Sequence, residues 1–455
     1  MKSIRIVLVG TAAFLAARGD DNGTGPPAGA DMSTYVAMGT SVSMGYTSDG
    51  VNAVSQQNSW PRLLASSVGI AFTLPLIDVP GCMPPLAAPL ALFRRVDNSS
   101  ALPSSVCSPN SAGVSLPARN VAISGATANS AVNATGGTGQ TLRARVLGPT
   151  QTQVTAMRAQ NPTFVSVEFG ANELLPALSG LVQTGVTTVS LASFSADYQT
   201  IVDNVSQSGA DAVLALVAAD LAKFPALRLG PEIASQRALF VALNVLVNGN
   251  CDASVNYVTI PVKVLSAVAA GAARAGSGLG PADLSCADVP GTADGVLTPA
   301  DITALNALAS QMNAFITTKA SEKGFATFSL GALYDTAKDG VPFSVAALIA
   351  SDAHSARESA SIACIRLRLA TRYWLRRQRR ASSPSTDRSR SRQNGEKRRL
   401  LVRAGLLPNL SHRFRPAAYN VCTGITRRSF PARGQRHLRG VFSTPGPATD
   451  ERARG

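Results

Sequence analysis

The sequence predicts an α/β fold, a three-layer α/β/α sandwich around a mainly parallel sheet. Short apolar runs alternate with helix-period segments from about residue 34 to residue 335. That is the pattern of parallel strands joined by crossover helices. The second observation is a single well-marked helix. Thr298-Pro299-Ala300-Asp301 is a capping box with proline at the first helical position. Ile302, Leu305, Leu308, Met312, Phe315 and Ile316 then recur at helical spacing, and Gly324 stops the run.

Taken in order, strands are expected at 34–38, 119–123, 163–169, 238–245 and 325–330, each an apolar run of strand length. Phe325-Ala326-Thr327-Phe328 follows Gly324 directly and reads as the strand after the long helix. Residues 251–297, with many Ala, Gly and Pro, read as an excursion from the alternating pattern. There is no internal repeat. In a sheet of this kind, sites form at the carboxyl ends of strands, so Ser41, Gly125 and Asn172 are expected on one rim.

Composition separates the chain into two parts. Hydrophobic residues make up 45% of the 455 residues, enough for a sizeable core. The net charge of +15 is not spread evenly: residues 1–356 hold 18 basic and 22 acidic residues, and residues 357–455 hold 24 and 5. The excess positive charge therefore belongs to the tail, where Lys397 is the only lysine. Arg376-Arg377-Gln378-Arg379-Arg380 and Arg388-Ser389-Arg390-Ser391-Arg392 are set among Ser-, Pro- and Gly-rich stretches. Three readings of 358–455 stand: a disordered solvated tail, translation out of frame from GC-rich DNA, and a polyanion-binding segment acting through phosphate contacts. Nucleic-acid binding rests on the tail alone and is not expected of residues 34–357.

The N-terminus reads as an export signal over 1–17. Lys2 and Arg5 precede the apolar run Ile6–Leu15, which is too short to span a bilayer, and Leu15-Ala16-Ala17 offers a small-residue cleavage site. A buried first strand is the alternative. Residues 18–33 are polar and rich in Gly, Pro and Asp, as in a flexible spacer. The pattern is like a bacterial lipoprotein signal with Arg18 where the lipidated cysteine would stand. A secreted, periplasmic or cell-envelope protein is expected, with no membrane span after signal removal. Cysteine usage agrees. Cys82 with Cys107 and Cys251 with Cys286 are candidates for two local disulfides, the alternative being buried free thiols, and Cys364 and Cys422 lie in the tail. No Cys or His spacing resembles a zinc site, and no metal or cofactor is expected.

Three remote segments carry residue types that suit a hydrolytic site. Gly39-Thr40-Ser41-Val42 follows the apolar run Tyr35–Met38, and Gly170-Ala171-Asn172-Glu173 follows Phe164–Phe169. Ser351-Asp352-Ala353-His354 holds the one histidine outside the tail, the others being His412 and His437. A serine nucleophile needs a neighbouring base, and a developing oxyanion needs convergent donors. Ser43 is a nearby alternative nucleophile. The chain has no Gly-x-Ser-x-Gly elbow of the α/β-hydrolase kind.

The stretch from Tyr35 to Gly45, continuing to Gln57-Asn58-Ser59-Trp60-Pro61-Arg62-Leu63-Leu64-Ala65, resembles the first block of the GDSL-type SGNH hydrolases, secreted esterases and lipases. Asn120–Thr127 resembles the second block, Val167–Leu175 the third and Ser351–His354 the fifth, over roughly residues 34–356. The resemblance implies a flavodoxin-like hydrolase domain over 34–357. It implies Ser41 as nucleophile and His354 as general base; Asp352, off the family spacing, is the candidate to orient His354, the alternative being a Ser–His dyad. The oxyanion hole would be the backbone N–H groups of Ser41 and Gly125 with the side-chain amide of Asn172. The implied substrate is a small ester or lipid-like molecule, cleaved through an acyl-enzyme. Two positions depart from the family pattern. Thr40 stands where the first block has aspartate. The acidic partner is expected three residues before the histidine, where this chain has Ser351, while Asp352 is two before. The alternative implied by these departures is an exported binding protein that keeps the fold without turnover.

Overall fold

A computed structural model of the protein describes residues 30–47, 50–84, 95, 106–331 and 343–346. The leader at 1–17, most of the spacer at 18–33, Asp352, His354, Cys364, Cys422 and the tail at 358–455 lie outside the described residues.

The fold is of the α/β class with a mainly parallel sheet. Four strands lie side by side in chain order, all parallel: β1 (Tyr35–Met38), β2 (Phe164–Val167), β3 (Asp211–Leu216) and β4 (Ala326–Ser329). Every residue of β1 and β2 is buried, which is why both read as unbroken apolar runs rather than alternating ones. The exception, Ser166, is satisfied by a 2.8 Å hydrogen bond with the Tyr35 hydroxyl. That burial, only partly offset by the Ser166 contact, pushes the Tyr35 phenol well above its usual pKa.

Residues 119–123 were expected as a full strand, and the pairing is shorter. One parallel bridge sets Ala37 opposite Asn120 on the free edge of β1. Ala37 N–H donates to the Arg119 carbonyl (2.8 Å), Val121 N–H to the Ala37 carbonyl (2.9 Å) and Ile123 N–H to the Gly39 carbonyl (3.0 Å). The chain thus leaves β1, returns along one side of it, and next pairs on the other side through β2. This reversal makes β1 the topological switch point, where sheets of this kind open a crevice beyond the strand ends.

One expectation needs correction, and one strand has no counterpart among those expected. Residues 238–245 form no strand of the main sheet. Arg237–Val241 is a short helix, and Val245–Val247 pairs with Ala282–Leu284 in a separate two-stranded parallel sheet. The place beside β2 is taken by β3, in a stretch whose Ala- and Leu-rich sequence has high helix propensity and was not read as a strand. Pairing on both sides overrides that propensity.

The long helix is confirmed over Pro299–Lys323. The Thr298 hydroxyl accepts from Asp301 N–H (3.2 Å), and the Asp301 carboxylate takes Thr298 N–H in return (2.8 Å). Ile302, Leu305, Met312 and Ile316 are buried, with Leu308 and Phe315 packed partly against the same core. Val36, Met38, Val165, Val167 and Leu214 share that core with the helices Gln153–Arg158, Leu191–Gln207 and Pro299–Lys323. Tyr35, Ala37 and Phe164, at alternate positions, cluster instead with Ala65, Phe72 and Leu74.

The excursion begins earlier than residue 251. Leu227–Leu229, Tyr257–Thr259 and Val296–Leu297 form an antiparallel three-stranded sheet. Ile233, Phe240, Val247, Val258 and Leu284 build a second core, which the Cys251–Cys286 disulfide crosses. Among the described residues Cys82–Cys107 is a second disulfide. Among the described residues no helix is long and apolar enough to cross a membrane.

Candidate active site

The end of β1 runs directly into a turn and then the helical turn Ser41–Met44, so Ser41 opens a helix at the carboxyl end of the switch-point strand. Ser41 is half-buried, whereas Thr40 is 1% and Ser43 0% exposed. The buried pair faces Glu168, itself 1% exposed, at the end of β2. Its carboxylate accepts from Thr40 N–H (3.0 Å), from the Thr40 hydroxyl (2.8 Å) and from the Ser43 hydroxyl (2.9 Å). Ser43 Oγ also accepts from Trp60 Nε1 (3.1 Å), and the Ser43 carbonyl accepts from Asn120 Nδ2 (2.9 Å). Ser43 is therefore bound into the core as a structural hydroxyl, which removes it as an alternative nucleophile.

Gly39 is required by space. A Cβ there would lie 2.7 Å from Ser43 Oγ and 2.9 Å from a Glu168 oxygen. Its N–H donates to Gln153 Oε1 (3.0 Å), which ties the turn to the helix Gln153–Arg158.

The second turn follows residues 119–123. Gly125 is exposed at φ +77°, a left-handed conformation that favours glycine, and an added Cβ would meet nothing within 4 Å. The backbone conformation alone favours glycine at this position. The chain then enters the helix Ala128–Asn133 through a Thr127–Ser130 capping box.

The third turn follows β2. Gly170 has φ +121°, and a Cβ there would overlap Val217 Cγ2 at 2.3 Å. Val217 is held in turn by Asn313 of the long helix, whose amide takes the Val217 N–H (2.7 Å) and donates to its carbonyl (2.9 Å). Asn172 Nδ2 donates to the Ala126 carbonyl (2.8 Å), and Glu173 Oε1 accepts from Ala128 N–H (2.6 Å). Adjacent residues of the third turn thus clasp the second turn twice.

Glu173 is 2% exposed, and burial pushes its carboxyl up to about 7 despite the Ala128 hydrogen bond, with the Glu168 charge adding to the rise. Its Oε2 has no hydrogen-bond partner among the described residues, nor has the hydroxyl of Tyr198. Burial, then the charges of Glu168 and Glu173, raise the Tyr198 phenol far above its ordinary value.

The sequence-predicted Ser41, Gly125 and Asn172 thus share one rim, linked through Ile123 to Gly39, Asn172 to Ala126, and Thr40 to Glu168. Asp352 and His354 lie outside the described residues. Glu168, Glu173 and Gln153 were missed as site residues. For Glu168 the signal was present: a carboxylate inside the otherwise apolar run Phe164–Phe169 must have buried partners. Compared with family models, with curated proteins and with solved structures, the chain gave no significant match.

Proposed function

We propose that the chain is an exported serine esterase or lipase with the three-layer sandwich of the SGNH type. Ser41 Oγ attacks the carbonyl carbon of a small ester or lipid-like substrate. His354 takes the Ser41 proton and later returns it to the leaving alcohol. Water, deprotonated by the same imidazole, then cleaves the acyl-enzyme and releases the acid. Asp352 orients the imidazole, or the site runs as a Ser–His dyad. No metal or cofactor enters the reaction.

The observation that carries this reading is the clasp of Asn172 to the Ala126 carbonyl, beside the Ser41 turn at the switch point. A carboxamide has two N–H donors. One holds the neighbouring turn at 2.8 Å, and the other is assigned to the oxyanion together with the backbone N–H groups of Ser41 and Gly125. A single donor of this kind typically contributes about 100- to 1,000-fold in rate. Thr40 at the aspartate position does not count against the chemistry, because its buried partner is the Glu168 carboxylate. A second carboxylate at position 40 would face like charge.

Hydrolysis of p-nitrophenyl butyrate by the full chain tests the proposal. Ser41→Ala and His354→Ala are each expected to abolish turnover in folded protein, with no further loss in the double variant, since nucleophile and base act as a unit. Wild-type rates in folded Ser41→Ala would reject Ser41. Inactivity of the wild-type chain would favour the exported, non-catalytic binding protein.

A further inference from the structure

The network under Ser41 asks more of Glu168 than burial alone explains. An ionised carboxylate accepts only, and this one accepts from three donor groups on two residues that flank Ser41 on either side. The arrangement has no slack. Glu168 is fixed by its place at the end of the central strand β2, and Gly39 lies so close that a methyl group would overlap both Glu168 and Ser43. Ser43 is held from further sides by Trp60 and Asn120. Ser41 and Val42, between Thr40 and Ser43, are the half-buried members of the turn.

We propose that Glu168 is a positioning residue for Ser41. Its carboxylate grips the turn through Thr40 and Ser43 and so sets the direction from which the Ser41 hydroxyl meets a bound acyl group. The proposal rests on the esterase reading. It assigns to β2 a role in nucleophile geometry in addition to carrying Asn172. A carboxamide at position 168 keeps one oxygen for Thr40 N–H and the Ser43 hydroxyl but sets an NH2 donor against the Thr40 hydroxyl, which must turn to accept. The grip on the turn then loses its negative charge and one of the hydrogen bonds donated to it. Misplacement of a reacting group by about 1 Å can cost about 100-fold in rate.

The test uses the full chain, p-nitrophenyl butyrate kinetics and thermal melts on Glu168→Gln, Thr40→Val and Thr40→Ser. Glu168→Gln is expected to lower kcat by about 100-fold while KM stays within about twofold. Thr40→Val, which keeps the shape and loses the hydroxyl, is expected to lower kcat by about 10-fold, and Thr40→Ser, which restores the hydroxyl, to recover most of that loss. A folded Glu168→Gln with wild-type kcat overturns the proposal. So does Thr40→Ser as slow as Thr40→Val, which would mark the loss as one of packing. If Glu168→Gln does not fold, the two Thr40 variants decide the matter. An inactive wild-type chain overturns the esterase reading and the positioning role with it, whereas an active wild type with unchanged variants overturns the positioning role alone.

Discussion

Glu173 shows how a single buried side chain ties the site to pH. Its folded carboxyl titrates at about 7 against an ordinary value of 4.5. Between those values the folded state binds more protons than the unfolded chain, so stability falls as pH rises. The contribution is fully present below about pH 4.5 and lost on passing through pH 7, amounting to roughly 3 kcal/mol. The melting temperature of the wild-type chain is therefore expected to drop between pH 5 and pH 8 more than that of Glu173→Gln. An amide at this position keeps an acceptor for Ala128 N–H and cannot ionise. Parallel melting curves for the two proteins across that range would show that Glu173 is not the responsible group. Site residues of this kind were only partly legible in the sequence. Ser41, Gly125 and Asn172 announce themselves because each follows an apolar run. Glu173 reads as part of a turn, and nothing local tells that its carboxyl folds back onto a helix start 45 residues earlier.

At the scale of elements, the turn after β2 depends on a helix far from it in sequence. Asn313 fixes the Val217 backbone, Val217 fills the space beside Gly170, and Gly170 leads into Asn172. Gly170→Ala combines an unfavourable backbone conformation with an overlap against Val217. It is expected to cost about 2 kcal/mol and lower the melting temperature by several degrees. Because Asn172 moves with the turn, ester turnover should fall by more than the loss of folded protein accounts for. A Gly170→Ala protein with unchanged melting temperature and unchanged turnover would refute this linkage. The elements themselves divided by how much of their pattern is local. Pro299–Lys323 was legible because cap, period and stop are all written in its own residues. β3 was not, because Asp211-Ala212-Val213-Leu214-Ala215-Leu216 becomes a strand through pairing with β2 and β4. The run at 238–245 misled for the converse reason. Its apolar residues belong to a helix and a short strand of the second core, and Leu239 and Val241 are exposed.

Across the whole molecule, segments about 130 residues apart meet at one end of the parallel sheet, as in the pairing of Thr40 with Glu168. The α/β class with a mainly parallel sheet was legible in the alternation of apolar runs and helix-period segments, and the reversal at β1 was not. Sequence reasoning placed three rim residues together because strand ends are legible. It could not reach the Glu168 network, because side-chain partners across parallel strands leave no spacing in the chain. A Ser41 activated at the rim would be captured covalently by an organophosphate. The full chain treated with diisopropyl fluorophosphate should gain one phosphoryl adduct per molecule. Peptide mass spectrometry should locate it on Ser41, and Ser41→Ala should remain unmodified. An unmodified wild-type chain, or an adduct on another residue that persists in Ser41→Ala, would contradict the account.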